Sequence, residues 1–279
     1  MKILEKLKDL DRRIIYLLVF LSIIIPLIPG FDFLKFPVSA SKETKAIFDQ
    51  IENLKEGDAV HIDFAFTPTQ KAELLPFFEA FYKHCLKKKV KVFIYYAASV
   101  NGMGLGKETV KNIMNMDEFS HLKAGVDYIH MDYIPIMANI QIFSMVSDYK
   151  GTFKKEGKIF EGVETLEDID FILGITGSGW HQPFIDMQIR FHYKFAMAVT
   201  AVIGPELIPY YQTGQLTGLS NGLRGAAEYE KLVSEKYEVN YYGSATKGLS
   251  SLTLSHLVVF GFVLIGNIVY FIERKRGGK

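Results

Sequence analysis

Two H-x-D triplets, His61-Ile62-Asp63 and His130-Met131-Asp132, carry residue types that bind divalent cations or move protons. Each falls in a segment read as a strand, where residues two apart point to the same face. If the two strands were neighbours, two imidazoles and two carboxylates would surround one metal-sized space. The competing reading is paired polar groups on an edge strand or a partly solvated face. A second candidate is the loop Gly174-Ile175-Thr176-Gly177-Ser178-Gly179-Trp180-His181, which holds the only tryptophan of the chain. Ser178 and His181, with Asp63 as a third candidate, are the residue types of nucleophile, base and acid in hydrolysis. A hydrolase elbow, however, needs G-x-S-x-G, and Thr176 and Trp180 occupy the outer positions around Ser178. Trp180 as an exposed ligand contact is the plainer use of this loop. The third candidate is Asn101-Gly102-Met103-Gly104-Leu105-Gly106-Lys107, read as a strand-to-helix loop whose backbone N–H groups, with Lys107, could cradle an anion. It departs from the P-loop, since Asn101 replaces the first glycine and Glu108 stands where Ser or Thr should hold magnesium. A flexible turn is the alternative.

Asp63-Phe64-Ala65-Phe66-Thr67 approaches the D-x-S-x-S pattern of von Willebrand A-type metal sites. Ala65 lacks the required hydroxyl and Thr67 serves as a helix cap, so that resemblance is set aside. None of these patterns implies a cofactor.

The elements that must position these residues alternate. Strands are predicted over 59–66, 90–97, 126–134, 169–175 and 195–203, and helices over 42–54, 68–88, 107–115, 136–146 and 182–191. Thr67-Pro68-Thr69-Gln70 marks one helix entry, with a capping Thr, Pro at the first position and Gln three residues after the cap. Several strands lack a polar face, which indicates a parallel sheet covered on both sides. The expected fold is α/β: a doubly wound, mostly parallel five-stranded sheet, Rossmann-like or flavodoxin-like. In such a sheet the loops leaving the strand C-termini share one edge, where ligands bind. Residues 147–163, rich in Gly and Lys, read as a surface excursion, either a lid or a partner loop. Residues 204–236 begin broken by Pro205, Pro209, Gly214 and Gly218 and turn helical from about Ser220.

Residues 249–272 are apolar and long enough to cross a bilayer, and Arg274-Lys275-Arg276 follows at once. A second apolar run, 14–30, lies behind Lys2, Lys6, Lys8, Arg12 and Arg13. The expected plan is a cytoplasmic tail (1–13), a first span (14–30), an α/β domain (42–237), a linker (238–248), a second span (249–272) and a cytoplasmic tail (273–279). The positive-inside rule puts both tails in the cytoplasm of a two-pass protein of the cell membrane, with the domain outside it. Val38-Ser39-Ala40 resembles a signal-peptidase site but lies far past the apolar run, so an uncleaved anchor is expected. His256 and Asn267 are three helical turns apart, and Ser251 and Ser255 are spaced four apart. Polar and small residues inside a span face other helices: the chain's own first span would suffice, and a second copy or another membrane protein is the equal alternative.

A formal net charge of +1 argues against a nucleic-acid partner. The single cysteine, Cys85, excludes an internal disulfide and fits a buried helix position. The chain contains no N-glycosylation sequon, which suits a prokaryotic protein. Residues 204–236, with the preceding Ala198-Val199-Thr200-Ala201, resemble uncharacterised prokaryotic membrane proteins with an anchor–domain–anchor plan, a likeness that implies architecture and no activity. The expected function is a structural or assembly subunit of a membrane complex. The alternative is a small-ligand binder or hydrolase using the loops at the strand ends.

Overall fold

The computed structural model describes residues 11–28, 30, 36–97, 99–135, 137–237 and 243–277. These fall into two compact units, Val38–Ala245 on the one hand and Met1–Pro37 with Thr246–Lys279 on the other.

Val38–Ala245 is built on six strands: β1 (Ala59–Ala65), β2 (Lys91–Tyr95), β3 (Tyr128–Met131), β4 (Phe171–Thr176), β5 (Phe195–Val199) and β6 (Gly218–Asn221). Every pairing is parallel, in the order β3-β2-β1-β4-β5-β6. The chain therefore enters at the centre, builds out to one edge, and returns to build the other. In this unit β1 and β4 are buried along their whole length, which explains their continuous apolar runs.

The helices of this unit alternate with the strands: α2 (Lys42–Glu52), α3 (Lys71–Lys88), α4 (Val100–Met114), α5 (Ala138–Ser147), α6 (Tyr149–Phe153), α7 (His181–Phe191), α8 (Gly204–Gln212) and α9 (Gly222–Tyr237). One face of the sheet carries an aromatic layer in which Phe64 packs edge-on against Phe78, and Phe81 against Phe171 and Tyr229. The opposite face buries Phe93, Tyr95, Met131, Ile172, Phe195 and Met197 beneath Ile142, Tyr149, Phe153, Phe184 and Leu207.

Several expectations need correction. The sheet has six strands, not five, because β6 is only four residues long and reads Gly-Leu-Ser-Asn, a turn-like composition. Gly218 lets β6 approach α2: a Cβ there would stand 2.5 Å from Ile47 Cγ1 and 2.9 Å from its backbone nitrogen. Residues 147–163 are not a surface excursion. Tyr149, Phe153, Ile159, Phe160 and Val163 are buried against the sheet. The segment after β5 that the prolines seemed to break is the helix α8, with Pro205 in its first turn and Pro209 inside it.

In the other unit, α10 (Ser244–Gly277) is 34 residues and about 50 Å long. Its Ser244–Lys275 stretch is long and apolar enough to cross a membrane. The helix starts at Ser244, inside the expected linker, and residues 238–242 of that linker lie outside the described residues. The expected N-terminal span is not found among the described residues: α1 (Arg12–Ile24), capped by the Asp11 carboxylate on Arg13 N–H, has 13 residues. At about 20 Å it falls short of a hydrocarbon core of about 30 Å. A 3₁₀ turn, Ile25–Leu27, containing Pro26 follows it. Residues 1–10 and Pro29, the remaining parts of that expected tail and span, lie outside the described residues. Ser251 Oγ donates to the Ile23 carbonyl at 2.6 Å within this unit.

Candidate functional site

The strand order reverses between β1 and β4, and at such a switch point the loops diverge and open a crevice at the C-terminal edge. The 3₁₀ turn Pro68–Gln70 leaves β1, and Gly177–Trp180 leaves β4. They are stitched together: Gln70 Oε1 accepts from Thr67 N–H at 2.9 Å, while Gln70 Nε2 donates to the Gly177 carbonyl at 3.2 Å. Thr176 Oγ1 donates to the Ala65 carbonyl at 3.0 Å and accepts from Ser178 N–H at 3.2 Å.

Asp63 lies below these loops, fully buried, and accepts from Trp180 Nε1 at 2.8 Å through Oδ2. Its Oδ1 has no partner. Burial raises its pKa from the ordinary 3.8 to about 7, against the opposing pull of the Trp180 hydrogen bond. Tyr95, paired with it in register on β2, and Tyr149 both feel its charge. His61, two residues back on the same face, bonds the Tyr149 hydroxyl through Nδ1 at 2.7 Å and leaves Nε2 unpartnered. Burial lowers its pKa to about 3, so the imidazole is neutral. A carboxyl poised near pH 7 can give or take a proton, and as the neutral acid it can also donate a hydrogen bond.

The H-x-D triplets do not converge. β2 separates β1 from β3, and the parity of the register puts them on opposite faces: His61 pairs with Phe93, His130 with Ile94. His130 Nδ1 bonds the Tyr96 hydroxyl at 2.7 Å, and burial lowers its pKa to about 4. Asp132 binds Lys107 at 2.7 Å and Lys155 at 2.6 Å, and these hydrogen bonds hold its carboxyl below the usual range. Among the described residues there is no cluster of three metal-ligating side chains.

The glycine-rich stretch is not a loop. Gly102, Gly104 and Gly106 lie inside α4, which starts at Val100 with Ser99 as its cap, Ser99 Oγ accepting from Gly102 N–H at 3.0 Å. A Cβ on Gly102 would come within 2.5 Å of the Phe66 carbonyl oxygen, and one on Gly106 would overlap the Tyr96 ring. Lys107 pairs with Asp132 as described.

Ser178 and His181 are neighbours without the hydrogen bond of a nucleophile and its base. His181 Nδ1 lies 3.1 Å from the Ser178 carbonyl oxygen, while Ser178 Oγ is 3.2 Å from Thr176 Oγ1. Trp180 is half-buried, its indole N–H spent on Asp63. Sequence reasoning missed Tyr95 and Tyr149, whose apolar surroundings gave them no chemical signature. Cavities of about 310 Å³, lined by Leu166, Asp170, His192 and Lys194, and about 600 Å³, lined by Lys87, Lys89, His121 and Asp127, occur at the N-terminal edge of the strands.

In α10, Ser251 is buried, whereas His256 and Asn267 are exposed, and Asn267 Nδ2 bonds back to the Val263 carbonyl at 2.8 Å. Ser255 Oγ bonds the Leu252 carbonyl at 2.9 Å.

Comparison with protein-family models, curated proteins and solved structures gave no match. The class of the protein rests on its own architecture: an α/β domain with a six-stranded parallel sheet and, among the described residues, one candidate membrane helix.

Proposed function

We propose that this chain is a membrane-anchored, doubly wound, Rossmann-like domain that holds a small molecule at the β1/β4 switch point, with Asp63 and Trp180 as its principal contacts. One observation carries the reading: a fully buried carboxyl at the switch-point end of β1 with an oxygen that no described residue satisfies. An unsatisfied buried polar atom costs roughly 1–3 kcal/mol, a cost that a bound ligand offsets. Asp63, with a pKa near neutrality, also supplies an acid or base if the bound molecule is turned over. The basic run in the last turns of α10, Arg274-Lys275-Arg276, supports a cytoplasmic C-terminal tail and a domain on the outer face. The test is native mass spectrometry of the full chain extracted from its own membranes in mild detergent. Wild type is expected to retain a small molecule that Asp63→Asn loses. Identical bare-polypeptide masses for both would sink the proposal.

A second reading, a subunit assembling with its own copies or with other membrane proteins, draws on His256 and Asn267. Both are exposed on a helix otherwise suited to lipid, where polar groups favour packing against another helix. Replacing both with leucine is expected to reduce the detergent-extracted complex to a monomer by light scattering. An unchanged mass rejects this reading.

A further inference from the structure

Below Asp63 the unsatisfied polar atoms form a group. His61 Nε2, Asp63 Oδ1 and both amide atoms of Gln141 on α5 are buried and make no well-formed hydrogen bond to the described residues. Gln141 is 1% exposed, His61 and Asp63 0%. Tyr95 joins them: its hydroxyl feels the Asp63 charge, comes close enough to the Gln141 amide to interact with it, and donates to the Ile134 carbonyl at 3.4 Å. The walls are aromatic: the Tyr149, Phe153 and Tyr95 rings stand 5.8, 6.3 and 6.4 Å from the His61 ring.

We infer that His61, Asp63 and Gln141 form one binding site for a flat, uncharged ligand that carries an amide-type donor beside an acceptor. This rests on the small-molecule reading above and names the class of molecule. The amide of Gln141 offers an NH2 group, with two N–H donors, and one carbonyl, so its occupant must present both an acceptor and a donor. The groups facing Asp63 are His61 on its own strand, Tyr95 on β2, Tyr149 on α6 and Trp180 before α7, and none of them is basic enough to be cationic at pH 7. An anionic ligand would find no counter-charge there, and a cationic one only the Asp63 carboxyl, which burial keeps partly protonated. Aromatic walls select a planar face over a puckered polyol. α5 is the cover: Ile142 and Met145 hold it to the sheet, while Ile140 and Phe143 on its other side are exposed.

Thermal unfolding of the full chain in mild detergent, with nicotinamide, uracil or glucose as probe, tests the assignment. Nicotinamide or uracil at tenfold its Kd is expected to raise the Tm by roughly 3–6 °C. Gln141→Met, which keeps the side-chain length and removes the amide, is expected to abolish that rise without lowering the Tm of the unliganded protein. No rise with either flat probe overturns the inference, as does a rise that Gln141→Met retains. A glucose response lost in Asp63→Asn but kept in Gln141→Met also overturns it, and leaves the small-molecule reading standing. A Gln141→Met variant several degrees less stable, with no probe response, assigns the cluster to ordered water and overturns it as well. His61→Phe, which removes the second unpartnered group, repeats the comparison should Gln141→Met fail to fold.

Discussion

Asp63→Asn is expected to be nearly neutral for stability at pH 4 and increasingly stabilising up to pH 7, by roughly 4 kcal/mol, with no further gain above that. In the folded protein the carboxyl titrates at about 7, against 3.8 when solvated. Below the lower value both states hold the proton and the group contributes nothing. Between the two the unfolded chain releases its proton while the folded protein keeps it, so stability falls as pH rises. Above the folded value the full penalty of an ionised, buried and half-satisfied carboxylate remains. Asparagine cannot ionise and keeps an oxygen for the Trp180 N–H, so the difference between the two proteins isolates this titration.

Wild type alone would not show it. His61 shifts the other way, to about 3, and buried His84 and half-buried His130 to about 4. Each of these imidazoles must shed a proton to fold, so each adds stability as pH rises toward 6.5. From pH 4 to 6.5 the slopes of Asp63 and His61 oppose one another, and the remaining histidines make the wild-type profile climb. Urea unfolding of both proteins at half-unit intervals from pH 4 to 8 provides the measurement. A difference independent of pH would mean that Asp63 is ionised and satisfied throughout.

The alternation of elements was legible because parallel strands buried on both faces leave continuous apolar runs, and five of the six strands, β1 to β5, stand where those runs predict β structure. β6 was not legible, because its four residues are held by a neighbour and by the approach of α2 to Gly218, neither of which leaves a local pattern. The 14–30 run was correctly read as apolar, yet Pro26 follows a helix of only 13 residues. Asp63 was visible as a polar residue on an apolar strand. The H-x-D pairing was not decidable from sequence, since it needed strand order and register parity. Tyr149 stands 88 residues from His61, and a contact at that separation has no local signature. Glycines were the misleading signal: three within 102–106 suggested a loop, whereas Ser99 starts a helix there and tertiary packing explains two of them.

Those two glycines carry the last prediction. Gly102→Ala and Gly106→Ala are each expected to destabilise the domain by about 1–3 kcal/mol, whereas Gly104→Ala should stabilise it by about 0.5–1 kcal/mol. All three changes gain helix propensity equally, so space decides the sign. At Gly104 a Cβ meets nothing within 4 Å. At Gly102 it meets the Phe66 carbonyl, which is backbone and cannot swing aside. At Gly106 it meets the Tyr96 ring, which is buried, tied to His130 through its hydroxyl, and stacked on that imidazole at 5.8 Å. Moving the ring would break that hydrogen bond and disturb its edge contact with Phe64. Because Gly102 and Gly106 are one turn apart on the same face, their losses should not add, and the double variant will depart from the sum of the singles. Thermal denaturation of the three single variants reads the outcome. Equal Tm changes at 102, 104 and 106 would show that α4 does not seat against the end of β1, and would return this stretch to an open loop free to cradle an anion.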